Sequence, residues 1–527
     1  MAGSLDLVSL TEGLAALPVT YLVAGSAVLL VATLVVLRVL SNTLTFKAPP
    51  VMEGIPFVGG LIKFSKGPLA LISEGYEKHG EVFTVPVFHK RVTFVLGPHA
   101  SPHFFNATDD KMSQTEVYDF NVPTFGPGVV YDVDQKVRSE QFRFAAEALR
   151  TAKLKTYVPA FVQEAEDYFS KWGETGVVDL MQVFSDLIIL TASRTLLGRE
   201  VREQMFSQVA DLFHDLDDGM RPISVFFPYL PTEFHRKRDA ARKQLHAIFK
   251  KVIEQRRASG VKEDDMLQAC APLLGWYLEG CMLHGKRAAM GSMGSRAGTF
   301  VDSKYRNVYG GRALSDVEIT GLLIAMLFAG QHTSSVTSTW TGLRMIANKE
   351  KTMKPAEDEQ RRIMKQHGGE INMDILNQME VLHLNIQEAL RMDPPLIMLM
   401  RQCKEPFSVS TSDGRTYVVP KGHIVATSPT FSHRLKHVFA EPNAYQPDRY
   451  QPPREEDKAL PFSYIGFGGG RHGCMGQNFA YLQVKTIWSV LLRNFEFELV
   501  DPFPEPNYDS MVIMPKPCRV RYTRRKL

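Results

Sequence analysis

The chain has 527 residues, 44% of them hydrophobic and 22% charged. That balance excludes disordered, collagen-like and low-complexity chains. The net charge of +4 is too small to imply a nucleic-acid partner. Five cysteines with no CxxC pair exclude a disulfide framework and a zinc cluster.

The first predicted element is a membrane anchor. Gly13 to Leu37 are 25 consecutive residues without a charge, long enough to cross a bilayer as a helix. The apolar core lacks the small-residue cleavage site of a signal peptide. Asp6 and Glu12 precede it, and Arg38, Lys47, Lys63 and Lys66 follow. The positive-inside rule then puts the chain after residue 38 in the cytoplasm. Residues 1–12 form a short lumenal end, 13–37 the span and 38–60 a linker. Its proline-rich stretch from Lys47 to Pro56 cannot be helical and should separate anchor from body.

The body, 61–527, is predicted to be mainly α with small β-sheets. Ala160 to Trp172 and Leu180 to Leu197 carry apolar residues at helical spacing. Arg236 to Arg257 reads as a basic amphipathic helix with a solvated face. Strand-like runs lie at Val82–Val87, Val92–Leu96, Tyr417–Val419 and His423–Thr427. The last two flank Pro420-Lys421-Gly422, which reads as a hairpin turn. Ala269 to Thr299, with six glycines and one acidic residue, has no periodicity. It reads as a long surface loop.

Three constellations carry chemistry. The first runs from Phe462 to Gly476 and places Cys474 in a glycine-rich turn before an apolar helix. A helix start and free backbone N–H groups favour thiolate, and a thiolate suits axial ligation of haem iron. Gly468-x-Gly470-x-x-Gly473 also fits a dinucleotide fingerprint, with Glu496 or Glu498 near the acidic position. Too little chain follows for a doubly wound sheet, and a plain structural turn with a buried cysteine is a third reading. The second constellation is the capping box Ser315-Asp-Val-Glu318, opening a helix from Ile319 to about Asn348, about 45 Å long. Inside it, Ala329 to Ser335 offer an opening for O₂ and water. There Thr333 can hold reduced oxygen by a hydrogen bond and His332 can relay protons. A kinked core helix whose hydroxyls bond back to its own carbonyls is the plainer alternative. The third is Glu388-Ala-Leu-Arg391, a same-face pair before Pro394-Pro395. Pro447-Asp448-Arg449-Tyr450 supplies a third charged member.

In this order and spacing, an ExxR helix, a PxR loop and an FxxGxxxCxG loop resemble the cytochrome P450 family, from about residue 45 to the end. Ala329-Gly-Gln-His-Thr-Ser-Ser335, Glu116 to Asp132 and Pro394 to Arg401 resemble its sterol 14α-demethylase branch. The plant and green-algal form, which acts on obtusifoliol, is the most similar. The resemblance implies haem b bound by Cys474, with Glu388, Arg391 and Arg449 as a structural triad. It implies Tyr118, Tyr131, Arg401 and Arg471 around the haem. It places Tyr118, Phe120, Phe125, Leu396, Met398 and Met400 along the sterol, with Phe120 crowding a second C4 methyl. It implies O₂ and NADPH–cytochrome P450 reductase as partners, and Arg471, His472 and Lys485 near Cys474 are the cations expected to meet acidic residues of the reductase. It also implies a single-pass protein of the endoplasmic reticulum membrane with a cytosolic catalytic domain. Ala269–Thr299 departs from the family, as a true insertion or a translated intron. The alternatives are another microsomal monooxygenase of apolar substrates and a non-catalytic haem- or sterol-binding membrane protein.

Overall fold

A computed structural model describes residues 47–54, 59–259, 265–267, 314–508 and 510–525, with isolated helical positions at 26, 28, 29, 32 and 33. Most of the expected anchor and all of 269–299 lie outside the described residues.

The elements that position the site are helices α1 (Pro68–His79), α2 (Gly97–Phe105), α3 (Gln135–Ala148), α4 (Thr151–Ser170), α5 (Leu180–Ala192), α6 (Phe206–Asp218), α7 (Glu233–Ser259), α8 (Asp316–Ala347), α9 (Met353–His367), α10 (Glu380–Met392) and α11 (Gln477–Asn494). The strands are β1 (Val82–Val87), β2 (Lys90–Val95), β3 (Met112–Ser113), β4 (Thr175–Asp179), β5 (Leu399–Cys403), β6 (Phe407–Ser410), β7 (Thr416–Val419), β8 (Ile424–Thr427), β9 (Phe495–Leu499), β10 (Pro506–Asn507), β11 (Met514–Pro515) and β12 (Arg519–Arg524).

Helix α8 is the spine. Its 32 residues span about 48 Å at 1.5 Å per residue. The capping box forms as the sequence predicts. Ser315 Oγ accepts from Glu318 N at 3.3 Å, and Glu318 Oε2 accepts from Ser315 N at 2.9 Å. Beyond the cap, α8 is apolar on most sides because α5, α7, α10 and α11 pack around it. Its crossing with α11 is sealed by Trp488, whose Nε1 donates to Ser338 O at 3.0 Å. The continuous helical run Leu180–Leu197, which contains α5, and α8 are long and apolar enough to cross a membrane, but 67% of each apolar window is buried in protein. They are core helices. In α7 the stripe Ala241, Leu245, Phe249, Val252 and Ile253 is buried, leaving most of its basic residues in solvent, as expected.

The largest sheet has the order β1-β2-β8-β5-β3. Only β2 and β8 run parallel in it, with Thr93 opposite Val425. The β4-β12-β9 sheet lies by the C-terminus. The expected hairpin across Pro420–Gly422 is not one. The turn forms, with His423 N donating to Pro420 O at 3.3 Å. However, β7 pairs with β6, whereas β8 pairs with β2 and β5. Burial decides the difference: all four residues of β8 are buried, which demands a central strand. In β7 buried residues alternate with more open ones, which suits a two-stranded ribbon.

The linker is non-helical at 47–54, as its prolines require. It does not stand off from the body there. Met52 N donates to Thr84 O and Thr84 N donates to Pro50 O, both at 2.8 Å, while Val418 N donates to Lys47 O at 3.1 Å.

Candidate active site

The cysteine loop is built by close backbone approach. Gly470 sits at φ +62°, and a Cβ there would lie 2.2 Å from the carbonyl oxygen of Phe105 in α2. No side chain fits, so glycine is required. Cys474 N donates to Phe467 O at 2.9 Å, which folds the cysteine back over the loop, and α11 starts three residues later. The cysteine is solvent-accessible, yet its thiol is recessed. Burial, the largest influence, pushes the thiol pKa up, and the Gly476 N–H only partly opposes this. The helix start and the loop N–H groups, expected to favour thiolate, thus act against this desolvation. A metal at sulfur would deprotonate the thiol outright. The dinucleotide reading also fails. The segment before the loop is turn rather than strand, and Glu496 and Glu498 lie on β9, antiparallel to β12.

The ExxR pair is buried rather than superficial. Glu388, Arg391 and Arg449 are each fully buried. Arg391 grips Glu388 bidentately, with both contacts at 2.8 Å. Arg449 Nε donates to Glu388 Oε1 at 3.0 Å, and Tyr450 OH donates to Oε2 at 2.7 Å. Sequence reasoning missed how the triad reaches the cysteine loop. His433 Nδ1 donates to Arg391 O at 3.0 Å, and His433 Nε2 accepts from Ile465 N at 2.8 Å. That pattern requires a neutral ring, and burial pushes the His433 pKa down to about 3.

A rim of contacts runs from the cysteine loop to α8. His472 Nε2 lies 2.8 Å from Asp109 Oδ1, and Arg138 lies 3.8 Å from the same oxygen. Arg401, on β5, is 1% exposed. Its Nη1 donates to Phe104 O, and its Nε is buried without a hydrogen-bond partner. Burial pushes Arg401 down to about 10. Tyr118 OH accepts from Met400 N at 3.2 Å, and its ring stacks on Tyr131 at 5.5 Å. Tyr131 stacks on Phe125 at 6.3 Å, and Phe125 meets Phe328 of α8 edge-on at 6.0 Å. Phe328 meets His332 at 5.7 Å.

On α8 itself the helix runs unbroken through Ala329–Ser335. Thr333 Oγ1 donates to Ala329 O at 2.7 Å, as the plainer alternative foresaw. Space is still present. Ala329 is exposed in a largely buried helix, and a Cβ on Gly330 would meet nothing within 4 Å. His332 Nε2 lies 2.9 Å from Asp217 Oδ1 of α6, out of hydrogen-bond alignment.

The remaining predicted residues are placed as follows. Phe120 is buried beside Tyr118, with ring centroids 6.3 Å apart. Met398 and Met400 are partly buried against the cluster of Phe83, Phe94 and Phe431, and Leu396 is 39% exposed. Arg471 points to solvent, 3.8 Å from Asp109, and does not join Arg401. Of the three cations expected to meet a reductase, only Arg471 is available. His472 is held by Asp109. Lys485 is 6% exposed, with Nζ donating to Leu376 O at 3.0 Å. Burial lowers its pKa to about 8. A lysine whose folded pKa lies below its unfolded value weakens folding while it is charged, so stability rises as pH climbs from about 8 to 10. Relative to Lys485→Met, wild-type protein should gain on the order of 3 kcal/mol across that window. Melting curves of both proteins at pH 7.5 and 10 check this, and parallel pH dependences would refute it.

These residues fit a haem. Among the described residues no three His, Cys, Asp or Glu side chains converge on one point. An iron bound at Cys474 must therefore bring its other ligands with it, as a porphyrin does. The partnerless Arg401 Nε and the phenols of Tyr118 and Tyr131 suit the porphyrin's carboxylates.

Comparison with known proteins gives a consistent result. The family model described as Cytochrome P450 matches residues 49–521. The chain is 54% identical to the obtusifoliol 14-alpha demethylase of Sorghum bicolor over 96% of this chain and 97% of that one. It is 54% identical to the sterol 14-demethylase of Arabidopsis thaliana over 95% and 98%. It is 38% identical to the lanosterol 14-alpha demethylase of Bos taurus over 91% and 88%. Among solved structures, a retinoic acid bound cyanobacterial CYP120A1 aligns with a TM-score of 0.73 over 91% of this chain and 100% of that one. At 20% identity, that likeness speaks to the fold alone.

Proposed function

Because this chain belongs to the cytochrome P450 family, we propose that it is a sterol 14α-demethylase of obtusifoliol-like substrates. It is a haem-iron monooxygenase, and its reaction takes O₂, a sterol and electrons from a redox partner. The proposal adds haem b as the cofactor and NADPH–cytochrome P450 reductase as the partner. The 14α-methyl is oxidised to the alcohol, then to the aldehyde, and leaves as formate with a Δ14 double bond. Each of the three oxidations consumes one O₂ and two electrons from NADPH.

The observation that carries this reading is the aromatic wall Tyr118–Tyr131–Phe125–Phe328, continuous from Arg401 to His332. An apolar tetracyclic substrate needs such a wall. When bound, the haem would supply O₂ activation, and Cys474 would hold its iron through sulfur. Arg401, Tyr118 and Tyr131 would hold its carboxylates, while Arg471, exposed beside Asp109, would reach them only by turning inward. Phe120, Phe125, Leu396, Met398 and Met400 face the sterol in this reading, and Phe120 favours a single C4 methyl. His332 relays protons beside Thr333 in this reading, and partly exposed Asp217 lies 2.9 Å from its Nε2 on the solvent side. Val28 and Leu29 are helical and 69% and 70% exposed. This supports residues 13–37 as a single span in the endoplasmic reticulum membrane, with the body cytosolic.

Reconstitution with reductase, NADPH and a panel of 14α-methyl sterols tests the function. Obtusifoliol should give a type I spectral shift and formate. No formate from any sterol refutes the proposal. Thr333→Ala should leave NADPH oxidation running while formate per NADPH falls about 10- to 100-fold and hydrogen peroxide rises. Unchanged coupling would remove Thr333 from proton delivery.

A further inference from the structure

The loop after Phe125 is held by a polar clamp that the proposed chemistry does not use. Gln141, on α3, is fully buried. Its Oε1 accepts from Val130 N at 2.9 Å, and its Nε2 donates to Gly128 O at 2.8 Å and to Glu318 Oε1 at 3.1 Å. Glu318 is the capping-box carboxylate of α8. Its other oxygen accepts from both the N and the Oγ of Ser315, each at 2.9 Å. One carboxylate thus ends the helix cap, and one amide ties that cap to the loop.

Two further observations point to the same joint. Val130 sits at φ +50°, a conformation a β-branched residue adopts only when its surroundings impose it. The Gln141 bond falls on the N–H of that residue. A Cβ on Gly321, one turn into α8, would lie 2.5 Å from Val129 Cγ2 and 2.7 Å from Phe125 O. The loop therefore seats on bare helix backbone, and the residues on either side of the joint, Phe125 and Tyr131, belong to the aromatic wall.

We propose that Gln141 and Glu318 are positioning residues that set the sterol-facing wall by locking residues 126–131 to the N-terminus of α8. Neither lines the wall: they hold the backbone from which Phe125 and Tyr131 project. The sterol part of this inference rests on the function proposed above, while the clamp itself does not.

The test uses the full-length haem protein. Gln141→Glu removes both amide donors and sets a second carboxylate against Glu318. Amide exchange across residues 126–133 should quicken about tenfold or more, with α11 unchanged, since a buried polar network has lost its donors. The type I dissociation constant for obtusifoliol should rise about tenfold, while the reduced carbon monoxide spectrum keeps its thiolate position. Gly321→Ala pushes on Val129 and Phe125 from the helix side with the amide bonds intact, and should also weaken sterol binding. If Gln141→Glu does not fold, Gln141→Asn and Gly321→Ala carry the test. Wild-type loop exchange and sterol binding in these variants overturn the inference. So does exchange that rises everywhere rather than in the loop. A wild-type protein that binds no 14α-methyl sterol sinks the substrate reading instead, and the exchange data still decide the clamp.

Discussion

Replacement of Cys474 by serine is expected to abolish sterol turnover and the thiolate-type carbon monoxide spectrum together. The physical reason lies in the loop. Burial pushes the Cys474 thiol up, and a metal at sulfur would deprotonate it outright. A serine hydroxyl in the same recess is far less acidic and remains neutral, so it offers the iron no comparable charge. The fold should survive, because Gly470 still seats on Phe105 O and residue 474 keeps its backbone bond to Phe467 O. Formate assays and the reduced carbon monoxide spectrum of the variant check this. Retained turnover would show that Cys474 is not the axial ligand.

The second large effect concerns stability. Glu388→Gln should yield little or no haem-loaded protein. Glu388 accepts from Arg391, Arg449, Tyr450 and the backbone of Gln446. Removing its charge leaves two fully buried guanidinium groups around a neutral amide. Breaking a buried pair of this kind costs about 3–5 kcal/mol, chiefly at Arg391, because Arg449 keeps an ion pair with Glu456. A typical domain holds only about 5–15 kcal/mol in reserve. The loss should reach the haem site, because Arg391 and Ile465 share His433. Expression level, haem absorbance per protein and melting temperature check this, and a variant that loads haem normally would contradict it.

The helices were legible because apolar spacing and a capping box are local signals. Ser315 and Glu318 are only three residues apart, so the start of α8 could be read directly. Strand partners were not legible: β8 joins β2 some 330 residues away, and no local pattern announces that. Lys485 was misread as a surface cation because a lone lysine in an amphipathic pattern usually faces water. Helix α11 is instead buried on nearly every side. Arg138 and Gln141 were missed although a signal existed. They lie at i and i+3 on the same stripe as Ala145 and Ala148, so two polar residues occupy the core face of α3. The roles given to Cys474 and the triad came from family resemblance, and the geometry adds the route between them through His433. Most of the expected anchor and all of 269–299 fall outside what the structure describes.

The linker bonds at Thr84 have a consequence for how the molecule behaves in company. In the five-stranded sheet, β1 is an outer strand six residues long, the kind of open ladder that recruits foreign strands. The pairing of Val51 with Thr84, and the backbone bonds of Pro50 and Met52 to the same residue, occupy its free side. The opposite border is β3, two residues long, too short to template anything. The proline-rich segment before the body thus also protects the sheet from edge-to-edge aggregation. An N-terminal truncation would uncover that border if it ran past Met52.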